Sequence, residues 1–181
     1  RAMKDKVKYL AFYITPYMGV TSASVDGKPA EFYQPTIPGA EWLHSRFIIV
    51  TVPRVYEKGE LIPVRMELEG KILVNLNGST YVVKEEDNWF PTPTTDLGGV
   101  ATKFDTVILA PKPFTGIANG RERPCDPADE VPGMQCFHYV TNTGIDFATF
   151  NIARDFRMDT TETLDEDADR DGKVDPKVPI R

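Results

Sequence analysis

Apolar and polar side chains alternate with a period of two in several segments of the chain, as in strands that bury one face. The clearest case is residues 62–70, where Val64, Met66 and Leu68 alternate with charged side chains. This pattern predicts a strand whose aliphatic side chains point inward. Residues 46–55 contain instead the unbroken apolar run F-I-I-V. That run is typical of a strand buried on both faces.

Turn residues divide the chain into short strands. Fifteen prolines and thirteen glycines leave little room for long helices. Asp26-Gly27 is a preferred type I′ pair and predicts a hairpin over residues 20–33, and Asn77-Gly78 predicts a second hairpin over residues 71–83. Residues 57–61 supply a turn after the strand that contains F-I-I-V. Further strands are predicted at residues 6–14, 103–111, 116–122, 136–142 and 146–158.

Strands at intervals of about 8–15 residues indicate an all-β fold, either a sandwich or a large twisted saddle of sheets. The length of 181 residues and the lack of a low-complexity linker predict a single domain over residues 1–181. Residues 160–177 are acidic and poor in apolar side chains, so we expect them to form an exposed loop insertion in that domain.

Composition excludes several partners. The chain is 41% hydrophobic and 27% charged with a net charge of −6, as expected of a soluble globular protein. Nucleic acid is not an expected partner, because phosphate binding needs clustered Lys and Arg. No apolar run approaches the roughly 20 residues of a membrane-spanning helix. No signal peptide is present, so a secreted protein would be seen here in mature or excised form.

The two cysteines, Cys125 and Cys136, flank a loop rich in Pro, Gly and Asp between two predicted strands. The strands would bring the cysteines together, and a disulfide closing such a loop contributes about 3 kcal/mol in the chain-entropy model. The alternative is a pair of reduced, partly buried thiols. Metal binding is disfavoured, because the loop offers too few other ligands.

The chain alone shows no catalytic motif. Its two histidines, His44 and His138, are too far apart for the H-E-x-x-H pair of a zinc helix. No G-x-S-x-G nucleophile motif occurs, and the Gly-Gly pair at residues 98–99 precedes a strand rather than a phosphate-binding helix. We therefore expect no catalytic and no cofactor-binding residue within these 181 residues.

One acidic segment has the spacing of a calcium loop. Alternate aspartates followed by Gly172 match the first half of a D-x-D-x-D-G loop, whose oxygens converge on a hard cation. Val178 stands where an EF-hand has its bidentate carboxylate, so the hypothesis is a weaker calcium loop of the extracellular kind. The alternative is a solvated acidic loop. The candidate ligands are Asp167, Asp169, Asp171, the backbone carbonyl of Lys173, and Asp175.

A serial set of motifs resembles the N-terminal β-domain of the aminopeptidase-N family of zinc metallopeptidases. That domain carries a Trp-Phe-Pro element, a strand of the type K-A-x-F-x-x-x-I-x-x-P and an A-x-S-N-G turn. Residues 147–156 and the V-P-I-R end of the chain look like two later strands of the domain. The matching positions are Trp89, Phe90 and Pro91, then Phe104, Ile108 and Pro111, then Ala118, Asn119 and Gly120.

The resemblance implies a saddle-shaped β-sandwich of antiparallel and mixed sheets, with the zinc-binding helix, its Glu base and the substrate loop all lying after Arg181. It implies a non-catalytic domain of a secreted or periplasmic protein that stands beside a catalytic domain and its substrate cleft. Zinc and peptide substrates would then belong to the parent protein. Thr92, Pro93 and Thr94 depart from the family pattern after Trp-Phe-Pro.

The alternative is a self-standing, calcium-dependent extracellular β-sandwich module. Such a module would bind a carbohydrate or a protein through exposed aromatic side chains. The candidates are Tyr13, Tyr17, Trp42 and Tyr56.

Overall fold

The computed structural model describes residues 6–83, 88–94, 102–154 and 156. Within these residues the chain forms sixteen β-strands and one short 3-10 helix, Pro127–Asp129. The first eight strands are β1 (Val7–Tyr13), β2 (Met18–Val25), β3 (Lys28–Pro29), β4 (Phe32–Tyr33), β5 (Thr36–Ile37), β6 (Ala40–His44), β7 (Phe47–Tyr56) and β8 (Val64–Gly70). The others are β9 (Leu73–Asn75), β10 (Thr80–Val83), β11 (Thr92–Pro93), β12 (Asp105–Pro111), β13 (Thr115–Ala118), β14 (Arg121–Arg123), β15 (Met134–Val140) and β16 (Phe150–Ala153).

Strands β1–β8 and β11 make up the first half of the fold, which has two sheets around one core. One sheet has the strand order β11-β1-β7-β4, the other has the order β3-β2-β8, and a separate β5–β6 hairpin lies beside them. Ile48 and Val50 of β7 face Val25 of β2, and all three side chains are fully buried. The alternation in β8 is as predicted, because Val64, Met66 and Leu68 pack against this core.

Strands β9, β10 and β12–β16 make up the second half of the fold, which has two further sheets with strand orders β13-β16-β10-β9 and β12-β15-β14. They touch closely at Gly116, where an added Cβ would lie 2.8 Å from the side chain of Ile108. The buried Tyr139 hydroxyl donates to the Gly116 carbonyl at 3.1 Å, which joins the two sheets at the same point. In the described part of the chain every strand pairing is antiparallel, so the mixed sheets that the resemblance implied are not found there.

The Trp-Phe-Pro element joins the two halves. The Trp89 indole N–H donates to the Ala148 carbonyl at 2.7 Å, and its ring meets Phe90 and Phe150 edge to face. Phe90 in turn packs against Phe104. On either side of this cluster, the chain bonds to the first half: Asn88 accepts from the Thr15 amide, and β11 pairs with the end of β1.

The hairpin predicted at Asp26-Gly27 is present, with positive φ at both residues, and links β2 to β3. The prediction that the F-I-I-V strand is buried on both faces is wrong. Ile48 and Val50 are buried, whereas Phe47 and Ile49 on the opposite face are exposed. No helix among the described residues is long and apolar enough to span a membrane.

Replacing Trp89 with Ala should lower the free energy of unfolding by about 3 kcal/mol, because large-to-small changes of packed aromatic residues cost roughly that much. Trp89→Phe should cost less, since it keeps one aromatic ring and loses the bond to Ala148 and the second ring of the indole. Urea unfolding at constant pH measures both changes.

The matched control is Trp42→Ala. The Trp42 side chain is 67% exposed, so its removal should change the unfolding free energy by under about 0.5 kcal/mol. Equal losses at the two tryptophans would contradict the role assigned to Trp89.

Candidate functional site

A groove of about 660 Å³ opens where the β1–β2 turn, β6 and the end of β8 meet. Two aromatic rings form one wall: Tyr17 and Trp42 stack with their centroids 6.0 Å apart and their planes at 20°. Both side chains are also exposed to solvent. The volume lies within the range of about 300–1,000 Å³ typical of small-molecule sites. We call this site the groove.

Two glycines shape the groove. A Cβ on Gly19 would lie 2.7 Å from the His44 ring, so the imidazole rests directly on the β2 backbone. A Cβ on Gly70 would lie 2.1 Å from the Tyr17 carbonyl oxygen, so the end of β8 approaches the β1–β2 turn closely only without a side chain. A larger residue at either position would displace a wall of the groove.

Hydrogen bonds hold the walls together. The Gln34 side chain accepts from the Val20 amide at 2.8 Å and donates to the carbonyls of Met18 and Ser45, both at 3.0 Å. Backbone bonds also run from the His44 amide to Pro16 at 2.8 Å and from the Lys71 amide to Tyr17 at 3.1 Å. The groove is therefore built on fixed backbone rather than on a free loop.

Opposite charges line the rest of the groove. Glu69 and Lys71 both face it, as do Thr21 and the half-buried His44. Neither Glu69 nor Lys71 forms an ion pair within the described part of the chain. A carboxylate offers only acceptors and an ammonium only donors, so the two side chains can serve a ligand that has both.

The four predicted surface aromatics separate into three environments. Tyr17 and Trp42 form the groove wall, while Tyr13 packs edge to face on Phe47. The assignment of Tyr56 as an exposed aromatic is wrong: it is fully buried, and its hydroxyl donates to Asp26. It shares the inward phase of Ile48 and Val50 on β7, which explains its burial.

A second surface is the outward side of the β11-β1-β7-β4 sheet. Its register places Tyr33 opposite Ile49 on one side and Ala11 opposite Ile49 on the other. Phe47 and Tyr9 extend the same face, and Tyr9, Tyr33, Phe47 and Ile49 are all exposed. We call these four side chains the aromatic face. Contiguous apolar surface of more than a few hundred Å² marks interaction sites in soluble proteins.

The structure joins Cys125 and Cys136 by a disulfide, with 6.2 Å between their Cα atoms. The bond closes the loop between β14 and β15, which contains the 3-10 helix. Beside it, His138 lies between two acceptors: Nε2 is 2.7 Å from the Asp105 carboxylate and Nδ1 is 3.1 Å from the Pro124 carbonyl.

His138 can donate to both acceptors only when both ring nitrogens carry protons. The bond to the Pro124 carbonyl and then the bond to Asp105 raise the pKa of His138 above its ordinary value of about 6.5. Asp129 adds a smaller attraction, and Arg123 of β14 stands opposite His138 in the sheet. His138 thus ties the disulfide loop to β12. This is a structural role.

The five proposed calcium ligands lie in residues 157–181, outside the described residues, so calcium binding there stays a prediction. Among the residues that the structure describes, no group of three or more His, Cys, Asp or Glu side chains is placed to hold a metal ion.

The architecture defines a class: an all-β protein of antiparallel sheets, with the Trp-Phe-Pro element between its two halves. Solved structures share the fold. An M1 zinc metallopeptidase from Deinococcus radiodurans superposes with a TM-score of 0.67 at 13% identity, over 84% of this chain and 36% of that one. A mutant of that enzyme bound to a Tyr-Ser-Ala substrate gives a TM-score of 0.68 at 14% identity, over 91% of this chain and 38% of that one.

A two-domain M1 zinc metallopeptidase mutant bound to L-arginine gives a TM-score of 0.69 at 13% identity, again over 91% of this chain and 38% of that one. The fold expected from the aminopeptidase-N resemblance is therefore confirmed. The chain spans little more than a third of the peptidase chains it matches. No family model and no curated protein sequence matches the chain.

We expect His138 to make stability depend on pH. Its folded pKa is raised, so its contribution is fully present below the unfolded pKa of about 6.5 and disappears as the pH rises through the folded pKa. The difference in unfolding free energy between wild type and His138→Gln should therefore shrink above about pH 6.5. Because His44, the other histidine, is present in both proteins, this difference reports the contribution of His138 alone.

Asp105→Asn serves as the matched variant. It removes the negative charge of one acceptor and keeps the neutral Pro124 carbonyl, so it should reduce the pH dependence without abolishing it. A wild-type-to-His138→Gln difference that stays constant from pH 5 to about pH 9 would contradict the raised pKa.

Calcium binding by residues 165–175 predicts a melting temperature that is higher in millimolar calcium than in chelator, because a ligand that binds only the folded state stabilises it. The matched variant is Asp167→Asn with Asp169→Asn, which should remove the shift. Identical melting curves in calcium and chelator would rule the loop out as a calcium site.

Proposed function

We propose that the chain is a non-catalytic β-domain of a larger zinc-metallopeptidase-like protein, where it packs beside the catalytic domain and helps to enclose the substrate cleft. The observation that carries this proposal is the shared fold. It covers 84–91% of this chain but only 36–38% of the peptidase chains, one of which is described as a two-domain enzyme. The remaining length of such a protein would hold the zinc and the reacting groups.

The aromatic face supports this arrangement. Tyr33 and Tyr9 are 65% and 64% exposed, and Phe47 is 52% exposed. Rings of this size gain most of their hydrophobic stabilisation only when they are covered, at roughly 25 cal/mol per Å² of apolar surface. A neighbouring domain of the same parent protein is the proposed cover.

The roles of the two histidines agree with the proposed separation between this chain and a catalytic domain. The two histidines of the chain are used structurally, His138 against Asp105 and His44 on the β2 backbone. Zinc and peptide substrates are accordingly assigned to the parent's catalytic domain. Nucleic acid is not an expected partner, because the net charge of the chain is −6.

A secreted or periplasmic location is part of the proposal. The Cys125–Cys136 disulfide supports it, because disulfides persist in oxidising compartments and are rare in the cytosol. A location outside the cytoplasm would also supply the millimolar calcium that a weak loop at residues 165–175 requires.

The chain by itself should bind less than stoichiometric zinc and should not hydrolyse aminoacyl-p-nitroanilides, because the proposed zinc ligands are not in it. The parent protein, extended through its downstream coding region, should hold one zinc per molecule. Metal analysis by mass spectrometry and a chromogenic assay measure both properties. Stoichiometric zinc or turnover in the chain alone would overturn the proposal.

The docking role is tested by Tyr33→Lys combined with Phe47→Lys. The double variant should leave the melting temperature of the chain alone nearly unchanged, because both side chains are exposed. In the parent protein it should lower the melting temperature, because two charges would be buried at the interface. Leu61→Lys combined with Leu76→Lys, which changes two exposed apolar residues outside the aromatic face, is the matched control. Equal behaviour of the double variant in both proteins would refute docking through this face.

A further inference from the structure

We propose that the groove binds a neutral saccharide, with a sugar ring stacked on Trp42, which Tyr17 supports from its other side, and with hydroxyl groups bonded to Glu69 and Lys71. The proposal is independent of the peptidase context, since it concerns only residues of this chain. It assigns the groove a ligand class that the proposed scaffold role does not require.

The stacked rings provide the apolar part of the site. Trp42 and Tyr17 lie at 20° to each other with centroids 6.0 Å apart, and Trp42 is 67% exposed. A tryptophan so exposed leaves most of its apolar surface in water. A pyranose has one face made of C–H groups, which covers an aromatic ring and releases that water. The face of Trp42 that Tyr17 does not cover offers a flat surface of this kind beside a groove of about 660 Å³.

The charged side chains fit the polar edge of a sugar. A hydroxyl group both donates and accepts, so it can donate to the Glu69 carboxylate and accept from the Lys71 ammonium. Thr21 and His44 add two further polar groups to the lining. Few, well-placed polar groups in a largely aromatic site are typical of small-ligand pockets.

The charge balance selects a neutral ligand. Glu69 and Lys71 carry opposite single charges, so the groove itself favours neither an anion nor a cation. The whole chain has a net charge of −6, which repels anionic polysaccharides at a distance.

A proline-rich peptide is the competing occupant, because aromatic grooves also bind polyproline II segments. Proline has no backbone N–H, so a proline-rich segment offers few donors to the Glu69 carboxylate and would leave it partly unsatisfied. A sugar offers several hydroxyl donors along one edge. The presence of Glu69 beside the rings therefore favours the saccharide.

The site is organised before a ligand arrives. Gln34 holds β2 to the backbone before β7 through its three bonds of 2.8–3.0 Å, and the Tyr17 carbonyl is bonded to the Lys71 amide. The rings and the charged pair thus sit on backbone that does not need to be ordered on binding. A site fixed in this way loses little entropy when a ligand enters.

The test is isothermal titration of the 181-residue chain with neutral oligosaccharides built of glucose, mannose, galactose, xylose or N-acetylglucosamine. At least one of them should bind, and Trp42→Ala and Tyr17→Ala should each raise its Kd by at least about tenfold. Glu69→Gln keeps an acceptor oxygen and loses the charge, so a smaller rise is expected. Circular dichroism verifies that each variant is folded.

The matched control is Tyr33→Ala, which removes an equally exposed tyrosine from the aromatic face and should leave the Kd unchanged. A proline-rich decapeptide is titrated in parallel. The proposal is overturned if no oligosaccharide binds at millimolar concentration, if the Trp42 and Tyr17 variants bind as well as wild type, or if the peptide binds in place of the sugars.

Discussion

The contact between Trp89 and the Ala148 carbonyl is the constraint on which the rest of the fold depends. Each half of the fold can bury its own strands, because each has sheets with inward aliphatic side chains. The chain passes between the halves at Ile72, which packs on the core of the first half. A second connection is a short irregular segment that satisfies its polar groups on both sides. The indole reaches into the second half, while Asn88 bonds to Thr15 in the first. The rings of Phe90 and Phe104 pack against this segment, so its two-sided attachment is partly shielded from water.

Local patterns predicted the strands and turns well where one physical rule decides the outcome. Alternation in β8 and the positive φ angles of Asp26 and Gly27 needed no knowledge of distant residues. The F-I-I-V strand was predicted wrongly because hydrophobicity does not reveal what covers a face. Ile49 looks like a core residue in the sequence and is exposed in the isolated chain. If a neighbouring domain covers that face, the prediction of a strand buried on both faces holds for the parent protein and fails only for the isolated chain.

The groove could not be predicted from the sequence, for a different reason. Tyr17 and Trp42 were named as surface aromatics, but Glu69 and Lys71 reach them only through the pairing of β2 with β8. No local signal joins positions that are about fifty residues apart in this way. The assignment of Tyr56 to the surface was wrong although a local signal was present, because its phase on β7 matches that of the buried Val50. A period-two count along the strand would have placed it in the core.

The crosslink between Cys125 and Cys136 affects how the protein withstands proteolysis. Eight of the ten residues that it encloses form the mostly exposed loop between β14 and β15, the kind of segment that proteases cut first. A single cut there would not separate the fragments, because the sulfur bridge still spans the break, and β15 would remain paired with β12 along its length. The domain can therefore be nicked and stay whole, an advantage for a protein whose working partner would itself be a peptidase.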